Sequence, residues 1–219
     1  YHKNTPYIPD KVIEELSDRL EELDGTDRLV FQIFSETGMR AKEVAFLEAD
    51  CLTTARYDRA VKLKYVPYKT LKARRRNGIG EYHSVYISAE LAEKIKKQIT
   101  ASEELRREYS LPYIFLHQKK GYKVAMLNVE YFITKINKLI HKYEICDDSG
   151  GLWNFTSRQC RKTLVVNMIE NGATTMELVY QLGHLNQSTV MQYYAEVKSA
   201  RLAEMNTKFF KEQFHLLLS

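Results

Sequence analysis

Apolar residues recur at helical spacing from Pro9 to about Leu23, where Val12, Ile13, Leu16, Leu20 and Leu23 share one face and Asp10 stands where it can cap the start. Asp24-Gly25 interrupts this pattern. A second helix carries Leu29, Val30, Ile33 and Phe34 and stops at Thr37-Gly38, because glycine readily takes the left-handed backbone that closes a helix. A short third helix is predicted from Arg40 to Leu47. The period then changes to two: Val61, Leu63 and Tyr65 alternate with Lys62, Lys64 and Val66, and Tyr82, Ser84 and Tyr86 alternate with His83, Val85 and Ile87. These read as antiparallel strands, with a third around Cys51 to Ala55 and the segment Lys69 to Gly80 as a connecting turn.

Helical spacing returns over roughly 89–107. After the short apolar run Tyr113 to Leu116 it returns over 127–144, where Val129, Phe132, Ile133, Ile136, Leu139 and Ile140 form a stripe that core packing explains. Asp147 to Gly151 is a loop, and a helix from Ser157 to Asn171 ends at Gly172. Two shorter helices, 174–182 and 186–194, and a last one from about Ser199 complete the chain. There are no internal repeats and no low-complexity segments. The pattern predicts an α+β fold, mostly helical, with a small antiparallel three-stranded sheet.

Composition supports one compact domain. Of 219 residues, 44% are hydrophobic and 28% charged, with only 9 Gly and 4 Pro. No stretch approaches the roughly 20 uninterrupted apolar residues of a membrane helix, and no signal-like segment opens the chain, so neither membrane spanning nor secretion is expected. Cys51, Cys146 and Cys160 show neither pairing nor metal-ligand spacing, which fits a reducing cytoplasm. Position 1 is not Met, so the chain reads as a fragment of a longer protein. Net charge is only +5, but eight cations and no acid lie between Arg59 and Gly80, leaving −3 on the remainder. Positive charge concentrated in this way suits a polyanion, and nucleic acid becomes the leading partner class.

Five pieces then appear in order: Thr37-Gly38-Met39-Arg40-Ala41-Lys42-Glu43, the basic strand turn, Arg158-Gln159-Cys160-Arg161-Lys162-Thr163, Leu182-Gly183-His184, and Tyr193 nine residues after that histidine. Together they resemble the tyrosine recombinase (phage integrase) family, in particular the catalytic domain of a phage or transposon integrase. The resemblance implies a site-specific recombinase that cuts and rejoins DNA strands through a 3′-phosphotyrosyl intermediate, with no metal and no small-molecule cofactor.

Such chemistry needs a nucleophile that stores the bond energy and cations that neutralise the pentavalent transition state. The resemblance makes Tyr193 the nucleophile. A phenol has an unperturbed pKa of about 10, so it requires positioned cations and a proton acceptor. Arg40 and Arg161 are expected on the non-bridging oxygens, each at a helix beginning where backbone dipoles favour an anion. Lys69 is the candidate general acid for the leaving 5′-oxygen, with Lys72 as its competitor. His184 would donate to a phosphate oxygen, and Glu43 would hold Arg40 by i, i+3 pairing. Arg74, Arg75, Arg76 and Lys162 are expected on DNA. One departure stands out: Arg158 occupies the position where most family members carry histidine. A guanidinium donates to phosphate but cannot accept the phenol proton, so Arg158 is assigned to phosphate and the base is left open. Tyr194 is the alternative nucleophile.

One other class competes, and one further possibility lies within the enzyme class. Met176 through Gly183 to Val190 also has the helix, glycine turn and helix of a non-enzymatic helix-turn-helix DNA reader, and a type IB topoisomerase shares the tyrosine chemistry. The domain reading is a linker over 1–9 from an upstream core-binding domain, a catalytic domain over 10–197, and a C-terminal helix and tail over 198–219. By resemblance that tail, with Leu202, Phe209, Phe210 and Leu216 to Leu218, would dock on a neighbouring protomer and link a homotetramer on double-stranded DNA.

Overall fold

The structure, a computed structural model, describes residues 5–55, 60–119, 121, 123–183, 190, 191, 195 and 197–199. Helix α1 (Asp10–Ser17) buries Val12 and Leu16. Its cap position belongs to Pro9, whose carbonyl accepts from the Ile13 N–H at 3.0 Å. Asp10 therefore sits inside the first turn, where its charge complements the helix dipole, and is not the cap expected from its position. The predicted long helix ends at Asp18; a single 3₁₀ turn (Leu20–Glu22) carries the chain on to Leu23. Asp24 caps α2 (Gly25–Thr37) by accepting from the Asp27 N–H at 2.9 Å, and Gly38 closes it with φ +62°. Leu29, Val30, Ile33 and Phe34 bury its inner face, as their spacing requires.

The short α3 (Ala41–Ala45) leads into a three-stranded antiparallel sheet in the order β1 (Leu52–Thr54), β2 (Val61–Tyr65), β3 (His83–Tyr86). Leu63 lies opposite both Leu52 and Val85, and Tyr65 lies opposite His83. The two-residue side-chain period turns Leu63, Tyr65 and Val85 into the core. On the outer face Lys62 covers the ring of Tyr86 and Lys64 that of Tyr82, at 4.5 and 4.7 Å.

The connection between β2 and β3 is more than a turn: Leu71–Arg76 form a helix, α4. Leu, Lys, Ala and Arg are all good helix formers, but six residues are too few to display an apolar period. The predicted helix over 89–107 is two helices, α5 (Ala89–Ala101) and α6 (Glu103–Tyr109). They part at the buried Ser102, whose hydroxyl donates to Ile99 O and accepts from Arg106 Nε, each at 3.1 Å. The run from Tyr113 continues into a hairpin of β4 (Leu116–Lys119) and β5 (Lys123–Met126), which a hydrophobic pattern conceals because neither four-residue strand alternates apolar with polar residues.

Helices α7 (Val129–Lys142), α8 (Ser157–Glu170) and α9 (Thr175–Leu182) lie close to the predicted bounds. Two apolar clusters result. The larger gathers α1, α2, the sheet, α5 and α7, and the smaller holds Val165, Ile169, Leu178, Leu182 and Val190. Helix α8 contributes to both, since Cys160 lies in the first and Val165 in the second. The chain joins the body early: Ile8 is buried and its N–H donates to Thr163 Oγ1 at 2.8 Å. Residues 190, 191, 195 and 197–199 are helical; the rest of the predicted 186–194 helix and most of the C-terminal segment lie outside the described residues. No helix among the described residues is long and apolar enough to cross a membrane.

Candidate active site

Arg40 occupies the position just before α3, in extended backbone. Glu43, one turn on, accepts from the Arg40 N–H at 2.7 Å and from Arg40 Nη1 at 2.8 Å. The Glu43 side chain is fully buried and that of Arg40 is 26% exposed. The i, i+3 contact is thus present, with the carboxylate beneath the arginine and part of the guanidinium left at the surface.

Replacing Glu43 with Ala is expected to lower stability by about 2 kcal/mol, because a buried charge partner is lost while the arginine keeps some water. In a chain of this size that amounts to a drop in melting temperature of about 4 to 8 °C. A calorimetric scan showing no drop would mean that the pair contributes nothing to the fold.

Arg161 lies in the second turn of α8, not at its beginning as predicted. Its guanidinium therefore works through side-chain geometry and not through the orphan N–H groups of the helix start. Nη1 donates to Gly38 O and Nη2 to Leu182 O, both at 2.8 Å. One planar fork joins the Thr37-Gly38-x-Arg40 box to the Leu182-Gly183 turn. Gly38 is packed so tightly here that a β-carbon would fall 3.0 Å from Leu164 Cδ2 and 3.4 Å from Arg161 Cγ. The glycine thus serves both the left-handed cap and the close approach of α2 to α8.

Two residues that the motif reading did not single out lie at the same place. Tyr65 is buried, and burial together with the nearby Glu43 carboxylate pushes its hydroxyl pKa up, while Arg161, Arg40 and Arg74 oppose the shift. Four charged side chains thus bear on one hydroxyl. His83, opposite Tyr65, brings Nε2 within 2.6 Å of Tyr180 O. Burial holds its pKa below the usual histidine value, reinforced by the positive charges of Arg74 and Arg161 and opposed by the Tyr180 carbonyl. Strand parity could have flagged His83, since it falls in phase with the buried Val85 and so had to be polar on an apolar face.

The basic turn divides by function. Lys69 and Lys72 are exposed, and their side chains make no hydrogen bond or ion pair among the described residues. Arg76 is exposed as well. Arg75 pairs with Glu81 at 2.6 Å. Arg74, expected on DNA, is buried instead: Nε donates to Gly80 O and Nη2 to Tyr82 O, both at 2.8 Å. It folds the turn back onto β3, because a buried guanidinium must find acceptors and the returning backbone supplies them.

Arg158 is exposed on the first turn of α8, and Lys162 is half-buried beside Arg161. The thiol of Cys160 is pushed up to about 12 by burial, which leaves it protonated and inert near neutral pH. Among the described residues no group of three or more His, Cys, Asp or Glu is placed to hold a metal ion. His184, Tyr193 and Tyr194 lie outside the described residues, as does the second helix of the helix-turn-helix alternative. The structure thus brings together Arg40, Glu43, Arg161 and the α9 turn that immediately precedes His184.

Comparison with known proteins gives the family and the fold. The sequence model described as "Phage integrase family" matches residues 6–201. Transposase B from transposon Tn554 of Staphylococcus aureus is 31% identical over 205 residues, which cover 93% of this chain and 30% of the transposase. The chain therefore spans under a third of the length of the curated relatives it matches. Among solved structures, the post-cleavage complex of the XerH site-specific recombinase superposes with a TM-score of 0.63 at 17% identity, covering 94% of this chain and 53% of XerH. The catalytic domain of bacteriophage HP1 integrase gives 0.53 at 19% identity and 89% of both chains. At these identities the structural likeness is one of fold.

Proposed function

The chain belongs to the phage integrase family, and from that premise we propose that it is the catalytic part of a site-specific DNA recombinase of a mobile element. It cuts and rejoins strands of double-stranded DNA without metal. Tyr193 Oη attacks the scissile phosphorus, the bond from phosphorus to the 5′-oxygen breaks, and a 3′-phosphotyrosyl bond replaces it. The phenol proton passes to a base, and the departing 5′-oxygen takes a proton from Lys69, or from Lys72 if that side chain is nearer the phosphate. One phosphodiester is exchanged for another, so attack by a 5′-hydroxyl reverses the step and seals either the original or an exchanged strand. Arg40, Arg161, His184 and Arg158 donate to the scissile phosphate and stabilise charge on its non-bridging oxygens, while Lys162, Arg75 and Arg76 contribute to duplex binding.

The observation that carries this reading is the bridge from Arg161 to Gly38 O and Leu182 O. It draws to one point three motifs that lie 123 and 21 residues apart along the chain, which a DNA reader with no chemistry to perform does not require. Tyr65, Glu43 and the buried Arg74 supply the dry, charged surroundings in which fixed dipoles act strongly. The same reading gives residues 198–219 the task of linking protomers, with a homotetramer forming on DNA.

The test is covalent trapping. The intact protein is incubated in EDTA with nicked duplex taken from the ends of its own element and run on a denaturing gel. A protein–DNA adduct is expected. Verified binding without any adduct would abandon recombination in favour of the helix-turn-helix reading.

A further inference from the structure

We propose that His83 is a positioning residue for strand cleavage: its imidazole holds the last turn of α9 against the sheet and so sets where the chain enters residue 184. This rests on the recombinase reading above. A carbonyl oxygen can only accept, so the 2.6 Å contact with Tyr180 O places the proton on Nε2. The same carbonyl also accepts from the Gly183 N–H at 3.1 Å, so the histidine and the helix cap share one oxygen. Gly183 has φ +62°, and a β-carbon on it would fall 3.0 Å from His83 Cδ2 and 3.3 Å from Tyr65 Oη. The turn therefore lies flush on the imidazole. The ring is itself wedged edge-on between Tyr65 and Tyr180, with centroids 5.6 and 5.4 Å away.

Helix α9 belongs to the smaller apolar cluster, whereas β2 and β3 belong to the larger one. Among the described residues two side chains reach from outside α9 to its terminal carbonyls: Arg161 to Leu182 O and His83 to Tyr180 O. Arg161 carries phosphate chemistry in the proposed reaction and His83 does not, so the alignment task can be tested apart from catalysis. On its other side His83 follows Tyr82, whose carbonyl is held by Arg74 from α4. Through this pair of clamps the turn bearing Lys69 and Lys72 is tied to the segment leading to His184. The histidine thus aligns the candidate general acid with the nucleophile-bearing end of the chain, and a loss of alignment affects the chemical step before it affects affinity for the duplex.

The experiment compares the intact wild-type protein with His83→Leu and His83→Gln. Leucine keeps bulk without a donor; glutamine keeps an N–H at about the reach of Nε2. Duplex affinity, adduct formation rate and melting temperature are measured for all three. The expected result is duplex affinity within about twofold throughout, an adduct rate at least tenfold lower for the leucine variant, and recovery to within about threefold of wild type for the glutamine variant. Wild-type cleavage by His83→Leu would overturn the inference and leave the recombinase reading intact. Equal loss of adduct in both variants together with lowered melting temperature would also overturn it, because the residue would then serve only the fold. Absence of an adduct from the wild-type protein would remove the recombinase reading and this inference with it.

Discussion

Tyr193→Phe is expected to abolish the covalent adduct while leaving duplex affinity within about twofold of wild type. Phenylalanine keeps the ring and removes only the oxygen that would form the bond to phosphorus, so no substitute nucleophile of the same reach remains. Tyr194→Phe, one residue on, should form the adduct at close to the wild-type rate, since the helix expected from the sequence over 186–194 would point neighbouring side chains about 100° apart, too far for both to meet one phosphate. The linkage also has a polarity that can be read directly. If phosphorus stays on the 3′ side of the break, a strand labelled at its 5′ end migrates with the protein, and the other product carries a free 5′-hydroxyl. An adduct that persists in Tyr193→Phe and vanishes in Tyr194→Phe would move the nucleophile by one residue. Migration with the protein of a strand labelled at its 3′ end, which places the phosphorus on the downstream fragment, would contradict the proposed reaction altogether.

The parts of this arrangement that were legible in the sequence are those in which side-chain periodicity and backbone need coincide. Helix α2 shows its stripe through Leu29, Val30, Ile33 and Phe34 and its end through Gly38, and β2 and β3 show theirs through strict alternation. Helix α4 was hidden because Lys72, Arg74, Arg75 and Arg76 form a charge run with no apolar face to report a period. The β4–β5 hairpin was hidden because Leu116 is the one apolar residue of β4 and Val124, Ala125 and Met126 run together in β5, so neither strand alternates. Arg74 illustrates a second limit, because whether a cation faces solvent or bonds a returning strand depends on where Gly80 and Tyr82 come back, which local sequence does not encode. Motif order located Arg40, Glu43 and Arg161, but not the acceptors of Arg161, which lie 123 and 21 residues away along the chain. His83 had no motif to announce it, and only the pairing with Tyr65 and the proximity of Tyr180 give it meaning.

Arg161 makes a tertiary bridge and, in the proposed reaction, supplies a charge to the phosphate; Arg161→Lys separates the two. Lysine keeps a positive charge and can reach one carbonyl, but a single ammonium cannot reproduce a planar fork that spans Gly38 O and Leu182 O at 2.8 Å each. Circular dichroism should be unchanged, and duplex affinity, which depends mainly on total charge, should fall by no more than about threefold. Cleavage should fall by about 10²- to 10³-fold, the usual cost of removing one oriented donor from a developing oxyanion. Such a split, with binding retained and the chemical step lost, is what a transition-state interaction produces and what a ground-state contact does not. A second variant guards against a purely structural explanation: in Arg161→Ala, free guanidinium ion well below denaturing concentrations should restore part of the adduct, whereas ammonium should not. Wild-type cleavage by the lysine variant would remove Arg161 from the reaction. A parallel collapse of binding and cleavage without guanidinium rescue would reduce its part to joining the Gly38 and Leu182 backbones.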